Sequence, residues 1–97
     1  MTEQIFTRTF QDIFSAADRL STFLEDVANI HYKLGIVYQR KGTKLDLQKA
    51  LLSFDKVCQI RKRRRGNYHY DVALSIEAIG MTFLKLGETF KAINKFS

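Results

Sequence analysis

The sequence contains no proline and only one cysteine among its 97 residues. The absence of proline, together with only five glycines, favours helices joined by short loops over an all-β fold. A secreted domain of this size usually carries several paired cysteines, so the lone Cys58 favours a reducing, intracellular setting. With no second cysteine and no nearby histidine, we expect Cys58 to be a small core side chain and not a metal ligand.

Long uncharged apolar runs are also missing. No stretch approaches the ~18 residues of a membrane-spanning helix, and the N-terminus lacks the basic and apolar regions of a signal peptide. Apolar residues still make up 45% of the chain, which argues against disorder. We therefore expect one all-α domain over 1–97, or a piece of a longer array, inside the cell: cytoplasmic, with the nucleus as the alternative.

Positive charge is concentrated in the middle of the chain. Residues 33–65 carry eleven basic and two acidic groups, a net charge of +9, whereas residues 1–32 carry two basic and five acidic groups, a net charge of −3. Residues 66–97 carry three of each. An acidic partner would therefore be steered towards the central segment.

One block of sequence occurs twice, 45 residues apart (71 − 26). The first copy consists of Asp26-Val27-Ala28, Leu34-Gly35, Tyr38 and Gly42. The second consists of Asp71-Val72-Ala73, Ile79-Gly80, Phe83 and Gly87. A Lys-Ala pair and an aromatic follow each copy, at Lys49-Ala50 with Phe54 and at Lys91-Ala92 with Phe96. Self-similarity at a fixed period indicates stacked supersecondary units.

Apolar periodicity predicts five helices, over about 3–20, 23–41, 44–65, 70–86 and 88–96. Thr22-x-x-Glu25 resembles a capping box that would start the second helix, and Thr43-x-x-Asp46 is a weaker cap for the third. Gly42, Gly66 and Gly87 are expected to end helices. We divide the chain into a preceding or capping helix (3–22), a first repeat (23–66) and a truncated second repeat (67–97).

The spacing of apolar residues also predicts which face of each helix is buried. The first helix would bury Phe6, Phe10, Ile13, Phe14, Ala17 and Leu20. The second would bury Val27, Ile30, Leu34, Val37 and Tyr38, and the third Leu47, Ala50, Leu51, Phe54, Val57, Cys58 and Ile60. The fourth would bury Val72, Ala73, Ile76, Ile79, Phe83 and Leu86, and the fifth Phe90, Ile93 and Phe96. A mid-helix glycine costs ~1 kcal/mol relative to alanine, so Gly35 and Gly80 are expected where a neighbouring helix comes close.

The pattern Leu34-Gly35-x-x-Tyr38, Gly42, Ala50, Phe54, repeated as Ile79-Gly80-x-x-Phe83, Gly87, Ala92, Phe96, resembles the tetratricopeptide repeat. A period of 45 also suits HEAT or armadillo repeats, but the Leu-Gly-x-x-Tyr and Lys-Ala matches favour the tetratricopeptide family. The resemblance implies a right-handed array of antiparallel helix pairs that acts as a scaffold or adaptor. It covers about residues 26–97.

The linker Gly66-x-x-His69-x-x-Val72-Ala73 is similar to that of the kinesin light chain and nephrocystin-like subfamily. Tyr70 stands where that subfamily has proline, and Tyr32-Lys33 stands where kinesin light chains often have Asn-Asn. Its cargo specificity is therefore not carried over to this chain.

In such an array the first helix of each pair lines a concave groove. Spacing together with the resemblance places ten residues on that side: Asn29, Tyr32, Ile36, Gln39, Arg40, Leu74, Glu77, Met81, Leu84 and Lys85. Apolar pockets beside amide and charged groups suit an extended peptide or a helix of a partner. The alternative is that some of these side chains only pack against neighbouring helices.

Five consecutive cations form the end of the predicted third helix: Arg61, Lys62, Arg63, Arg64 and Arg65. The run could bind nucleic acid, with Tyr68 and Tyr70 nearby for stacking, or an acidic protein. It could equally be a solvated helix end, where positive charge suits the helix dipole.

No catalytic motif, phosphate-binding glycine loop or metal-ligand spacing is visible, so we expect neither an enzyme nor a cofactor. His31 and His69 are too far apart in sequence to suggest a metal site, and His69 is expected to cap the fourth helix. Three hypotheses remain open: a groove that binds an acidic protein or peptide, a nucleic-acid binder that uses 61–65, and self-association through exposed repeat ends.

Overall fold

The computed structural model describes residues 2–96, with the backbone alone at 2, 6 and 90–96. These residues form three helices: α1 (Thr2–Lys41), α2 (Lys44–Arg65) and α3 (Tyr70–Phe96). The predicted all-α character is confirmed, since no strand occurs in the described chain. Short connections make successive helices antiparallel. Because α2 contacts both α1 and α3, it is the middle helix.

Two of the predicted helix ends are absent, so five predicted helices become three. α1 is continuous through Ser21 and Thr22, and the Thr22 hydroxyl donates to the Asp18 carbonyl (3.1 Å) instead of capping a new helix. α3 is likewise continuous through Gly87, whose φ is not positive. The capping-box prediction and the predicted end at Gly87 are therefore wrong. Both signals are local, and a threonine or a glycine is tolerated inside a helix at modest cost.

The other predicted ends are confirmed. Gly42 (φ +75°) ends α1 and its N–H donates to the Tyr38 carbonyl (3.2 Å). The Thr43 hydroxyl then accepts from the Asp46 N–H (3.1 Å), which caps α2. Gly66 (φ +84°) ends α2, and its N–H donates to the Lys62 carbonyl (2.9 Å).

The start of α3 is capped by His69, as predicted. Its Nδ1 accepts from the Asp71 N–H (3.1 Å), and its carbonyl accepts from the N–H groups of Val72 and Ala73 (3.0 and 3.2 Å). Three backbone donors at this helix end are therefore satisfied by His69 alone.

The closest approach of two helices is at Gly35 in α1. A Cβ added there would lie 2.5 Å from Cε1 of Phe54, closer than real side chains pack. Phe54 is fully buried, and Tyr32 meets its ring edge-on with centroids 5.6 Å apart. The predicted face of α2 is confirmed at its five buried positions, Leu47, Ala50, Phe54, Val57 and Cys58.

Outer faces that were predicted to be buried are mostly open, and these predictions are wrong. On α1, Phe10, Ile13, Phe14, Ala17, Leu20, Ile30, Leu34 and Val37 are exposed, while Val27 and Tyr38 are half-buried. On α3, Ala73, Ile76 and Phe83 are exposed, and only Val72 and Leu86 of the predicted set are fully buried. Only α2 has a helix on two sides, so α1 and α3 each keep an uncovered apolar face. Phe6, Phe90, Ile93 and Phe96 lie outside the described side chains.

The molecule is elongated, with extents of 78 × 22 × 14 Å. A 40-residue helix is about 60 Å long, so α1 is far longer than its partner α2, which has 22 residues. The described side chains of residues 3–20 are all exposed, and coverage by α2 begins at Ser21. The first half of α1 therefore extends beyond the three-helix core.

Gly80, which matches Gly35 in the repeat, faces open space: a Cβ there would meet nothing within 4 Å. The predicted close approach is wrong at this position, because no helix lies against that side of α3 as α2 lies against α1.

The two matched glycines should therefore respond in opposite ways to alanine. Overpacking a buried site typically costs about 1–3 kcal/mol, so Gly35→Ala should lower the free energy of unfolding. Gly80→Ala should raise it by up to ~1 kcal/mol, because alanine is the better helix former. Urea titration followed by circular dichroism measures both. A destabilised Gly80→Ala variant would show that a helix covers this side of α3 in solution.

Candidate functional site in the cleft between two helices

A cleft of about 340 Å³ lies between α1 and α3, above α2. Eight of the ten predicted groove residues line it together: Tyr32, Ile36, Gln39, Arg40, Leu74, Glu77, Met81 and Lys85. Phe54 and Ala78 complete the lining and were not predicted. Asn29 lies in a separate pocket of about 150 Å³ beside Arg61, Arg64 and Arg65. Leu84 does not line the cleft.

The floor of the cleft is held by Tyr32. Its ring contacts the buried Phe54, and the Arg61 guanidinium lies over its other side, 5.0 Å from the ring centroid. An aromatic ring fixed on two sides keeps one rotamer, so this part of the cleft is formed in advance of any ligand.

A hydrogen bond joins the two walls. The Gln39 amide donates from Nε2 to the Thr82 hydroxyl (3.1 Å), and Thr82 donates to the Ala78 carbonyl (2.8 Å). These bonds satisfy the fully buried Thr82 side chain. They also hold α1 and α3 at a constant separation where they otherwise make few contacts.

The lining combines three kinds of chemistry. Ile36, Leu74 and Met81 offer apolar surface, and Gln39 offers an amide. Arg40 and Lys85 bring two positive charges against the single negative charge of Glu77. The cleft can therefore bury an apolar side chain while it pairs with an acidic group next to it.

Arg61 belongs to the interior of the protein. Its Nη1 donates to the Asp71 carbonyl (3.0 Å) and to the hydroxyl of the buried Ser75 (3.0 Å). The side chain therefore ties the end of α2 to the start of α3.

Arg64 and Arg65 connect α2 to α1. Arg64 donates to the Ser21 hydroxyl (2.7 Å) and pairs with Glu25 (3.4 Å). Arg65 pairs with Glu25 (3.4 Å) and with Asp71 of α3 (3.5 Å). Of the predicted basic patch, only Lys62 and Arg63 are exposed and make no ion pair within the described chain. Sequence reasoning missed this division, since the distant acidic partners give no local signal.

Among the described residues, no group of His, Cys, Asp and Glu is placed to hold a metal ion. His31 lies half-buried on α1, and His69 caps α3. In the same part of the chain, no helix is long and apolar enough to cross a membrane.

In the described part of the chain, the geometry thus defines an all-α fold with a cleft of mixed character between α1 and α3. No known family model matches this chain, and neither a curated protein nor a solved structure matches it significantly.

Arg61 should matter for stability far more than its neighbours in the basic run. Arg61→Ala removes two charge-assisted hydrogen bonds, each worth about 1.5–3 kcal/mol, and it uncovers one side of Tyr32. We expect a clear loss in the free energy of unfolding by urea titration. The matched control Arg63→Ala removes the same charge from an exposed site and should change the free energy of unfolding by less than about 0.5 kcal/mol. Equal effects would contradict this assignment of roles.

Proposed function

We propose that the chain is a protein–protein interaction module that binds a peptide segment or helix of a partner in the cleft between α1 and α3. The observation that carries the proposal is the convergence of apolar, amide and cationic side chains in one cleft of about 340 Å³. Ligand sites are typically mainly apolar concavities of ~300–1,000 Å³ with a few placed polar groups. An open cleft between two parallel helices suits an elongated ligand.

We further propose that the three helices are part of a tetratricopeptide-like array. The meeting of Gly35 with Phe54, beside the buried Ala50, supports this interpretation. These are the residue types that the repeat pattern brings together. The linker similar to that of the kinesin light chain subfamily ends in His69, which caps α3, and in the buried Val72.

The uncovered faces also support an array. Between α2 and α3, an open pocket of about 470 Å³ is lined by Leu51, Leu52, Ile79 and Phe83, with Gln48 and Asp55. A following helix would cover it in a longer array, just as a preceding helix would cover the open face of α1. Stacking of repeats buries such faces in this class of protein.

An acidic partner is favoured on charge. Arg40 and Lys85 lie at the cleft, and the 33–65 segment carries a net charge of +9 (eleven minus two). Complementary charge mainly affects association rate and specificity. We expect the preference to weaken with added salt.

An array of extended and helical peptides, varied in acidic and apolar content, would test the proposal. Fluorescence anisotropy of the peptides it selects measures their affinity. Arg40→Glu should weaken binding of acidic peptides about tenfold or more. The control Lys41→Glu makes the same charge change on the neighbouring residue, which does not line the cleft.

The rival hypothesis is nucleic-acid binding through the basic run. Lys62→Ala with Arg63→Ala removes its two unpaired cations and leaves the internal arginine contacts in place. If this double variant loses binding while Arg40→Glu does not, the ligand lies on the basic run and the cleft proposal is overturned. Binding of nucleic acid is measured with a single-stranded oligonucleotide, titrated at two salt concentrations.

A further inference from the structure

One face of α1 carries an apolar stripe whose residues alternate at steps of three and four. The stripe consists of Ile13, Ala16, Leu20, Phe23, Val27, Ile30, Leu34 and Val37. All of them are exposed except Val27, which is half-buried, and Phe23 retains 61% of its surface. An average step of 3.5 residues is the repeat that keeps one seam facing a second helix along its whole length.

Nothing in the described chain covers this stripe. α2 packs on the neighbouring face of α1, through Ala28 and Gly35. The stripe spans 24 residue steps (37 − 13), about 36 Å at 1.5 Å per residue. Soluble chains rarely expose an apolar patch of this length, so it indicates a docking face.

Five charged residues flank the stripe at steps of seven, on the side away from α2: Asp12, Arg19, Asp26, Lys33 and Arg40, of which Arg40 also lines the cleft. The signs of the first four alternate, all five are exposed, and none makes an ion pair within the described chain. In an antiparallel pair of helices, flanking residues on this side face each other. In one register of the two antiparallel copies, each flanking residue lies opposite the residue whose number, added to its own, gives 45. Asp12 then contacts Lys33 of the second copy, and Arg19 contacts Asp26. Two-fold symmetry forms each pair twice.

A parallel pair would not use these charges. In a parallel pair, the charged flank of one copy would face the other flank of the stripe on the second copy. That flank consists of Ala17, Leu24 and His31. Neither Ala17 nor Leu24 carries a charge, and Leu24 and His31 are half-buried on the side of α2. The charge pattern therefore distinguishes the two orientations.

The same register also matches the apolar layers and the length of the helix. Within the stripe itself, residues of the two copies lie opposite one another when their residue numbers add up to 43. This pairs Ile13 with Ile30, Ala16 with Val27 and Leu20 with Phe23 of the second copy. The centre of this register, 21.5, is the midpoint of α1 (Thr2–Lys41). Two copies of α1 therefore overlap along all 40 residues.

The interface would have an ordinary size. Four positions in seven face a partner in such a pair, about 23 of 40 residues per chain, and standard interfaces use about 20–30 residues a side.

From this pattern we infer that the chain forms an antiparallel homodimer through α1. The first half of each α1, which has no support within its own chain, covers the open stripe on the second half of the other copy. A second copy thereby takes the place of the helix that would precede α1 in a repeat array. Most of the cleft between α1 and α3 lies on a different side of α1 and remains open, since Arg40 is the one lining residue that also lies on the charged flank.

Sedimentation equilibrium of the full chain over a wide concentration range tests the association. We expect a species of twice the 11.3 kDa chain mass. Asp26→Arg places two arginines opposite each other twice per dimer and should raise the dissociation constant about tenfold. The double exchange Arg19→Asp with Asp26→Arg recreates both pairs in reverse and should restore the dissociation constant. The control Asp18→Arg reverses charge on the far side of α1 and should leave it unchanged.

Other occupants of the stripe give different results. A chain that stays monomeric and more compact than 78 Å in length would indicate that the first half of α1 folds back on its own second half, which overturns the proposal. A dimer that responds equally to Asp26→Arg and Asp18→Arg, or that the double exchange fails to restore, would overturn the proposed face and orientation. Circular dichroism of each variant confirms that the helices remain intact.

Discussion

The contact between Gly35 and the ring of Phe54 sets the arrangement of the whole three-helix core. Without a side chain at Gly35, α1 approaches α2 closely enough for the ring to fill the space above the glycine. The same ring then supports Tyr32, and Tyr32 in turn lies beneath Arg61. One close approach therefore positions the floor of the cleft and the arginine that holds α3.

Positive charge in α2 serves mainly to join the helices. Arg61, Arg64 and Arg65 reach from the last turns of one helix to polar groups on both neighbours. Because the end of α2 and the start of α3 meet there beside the middle of α1, a few hydrogen bonds and ion pairs link all three helices. Positive charge at this C-terminus also suits the helix dipole. The net charge available to an external partner is consequently smaller than the run of five cations suggests.

The uncovered apolar faces and the elongated shape have one common cause. Among the described residues, only α2 packs extensively against two other helices. The apolar residues of α1 and α3 are therefore patterned for neighbours that a single copy does not supply. A second copy of α1 meets that requirement at one end.

Local chemistry was sufficient to predict several caps and turns. The caps at Thr43 and His69 and the turns at Gly42 and Gly66 follow from signals within a few residues, whereas the eight cleft residues were expected from helical spacing together with the resemblance to the tetratricopeptide repeat. The predicted helix ends and buried faces were wrong where they depended on another helix packing against the segment. Thr22 and Gly87 are weak breakers whose effect depends on whether a following helix folds back. Ser75 and Thr82 are buried because hydrogen bonds within α3 and from Arg61 and Gln39 satisfy their hydroxyls.

By itself, the sequence determined the all-α class and the apolar face of α2, since both depend on helical period and local capping. Only the tertiary structure decided that α1 and α3 are continuous, that Gly35 is packed while Gly80 is open, and that three of the five clustered cations bond to neighbouring helices. The physical reason is that periodicity specifies which side of a helix is apolar, whereas burial requires another segment to lie against that side. Which segment does so depends on contacts between residues distant in sequence.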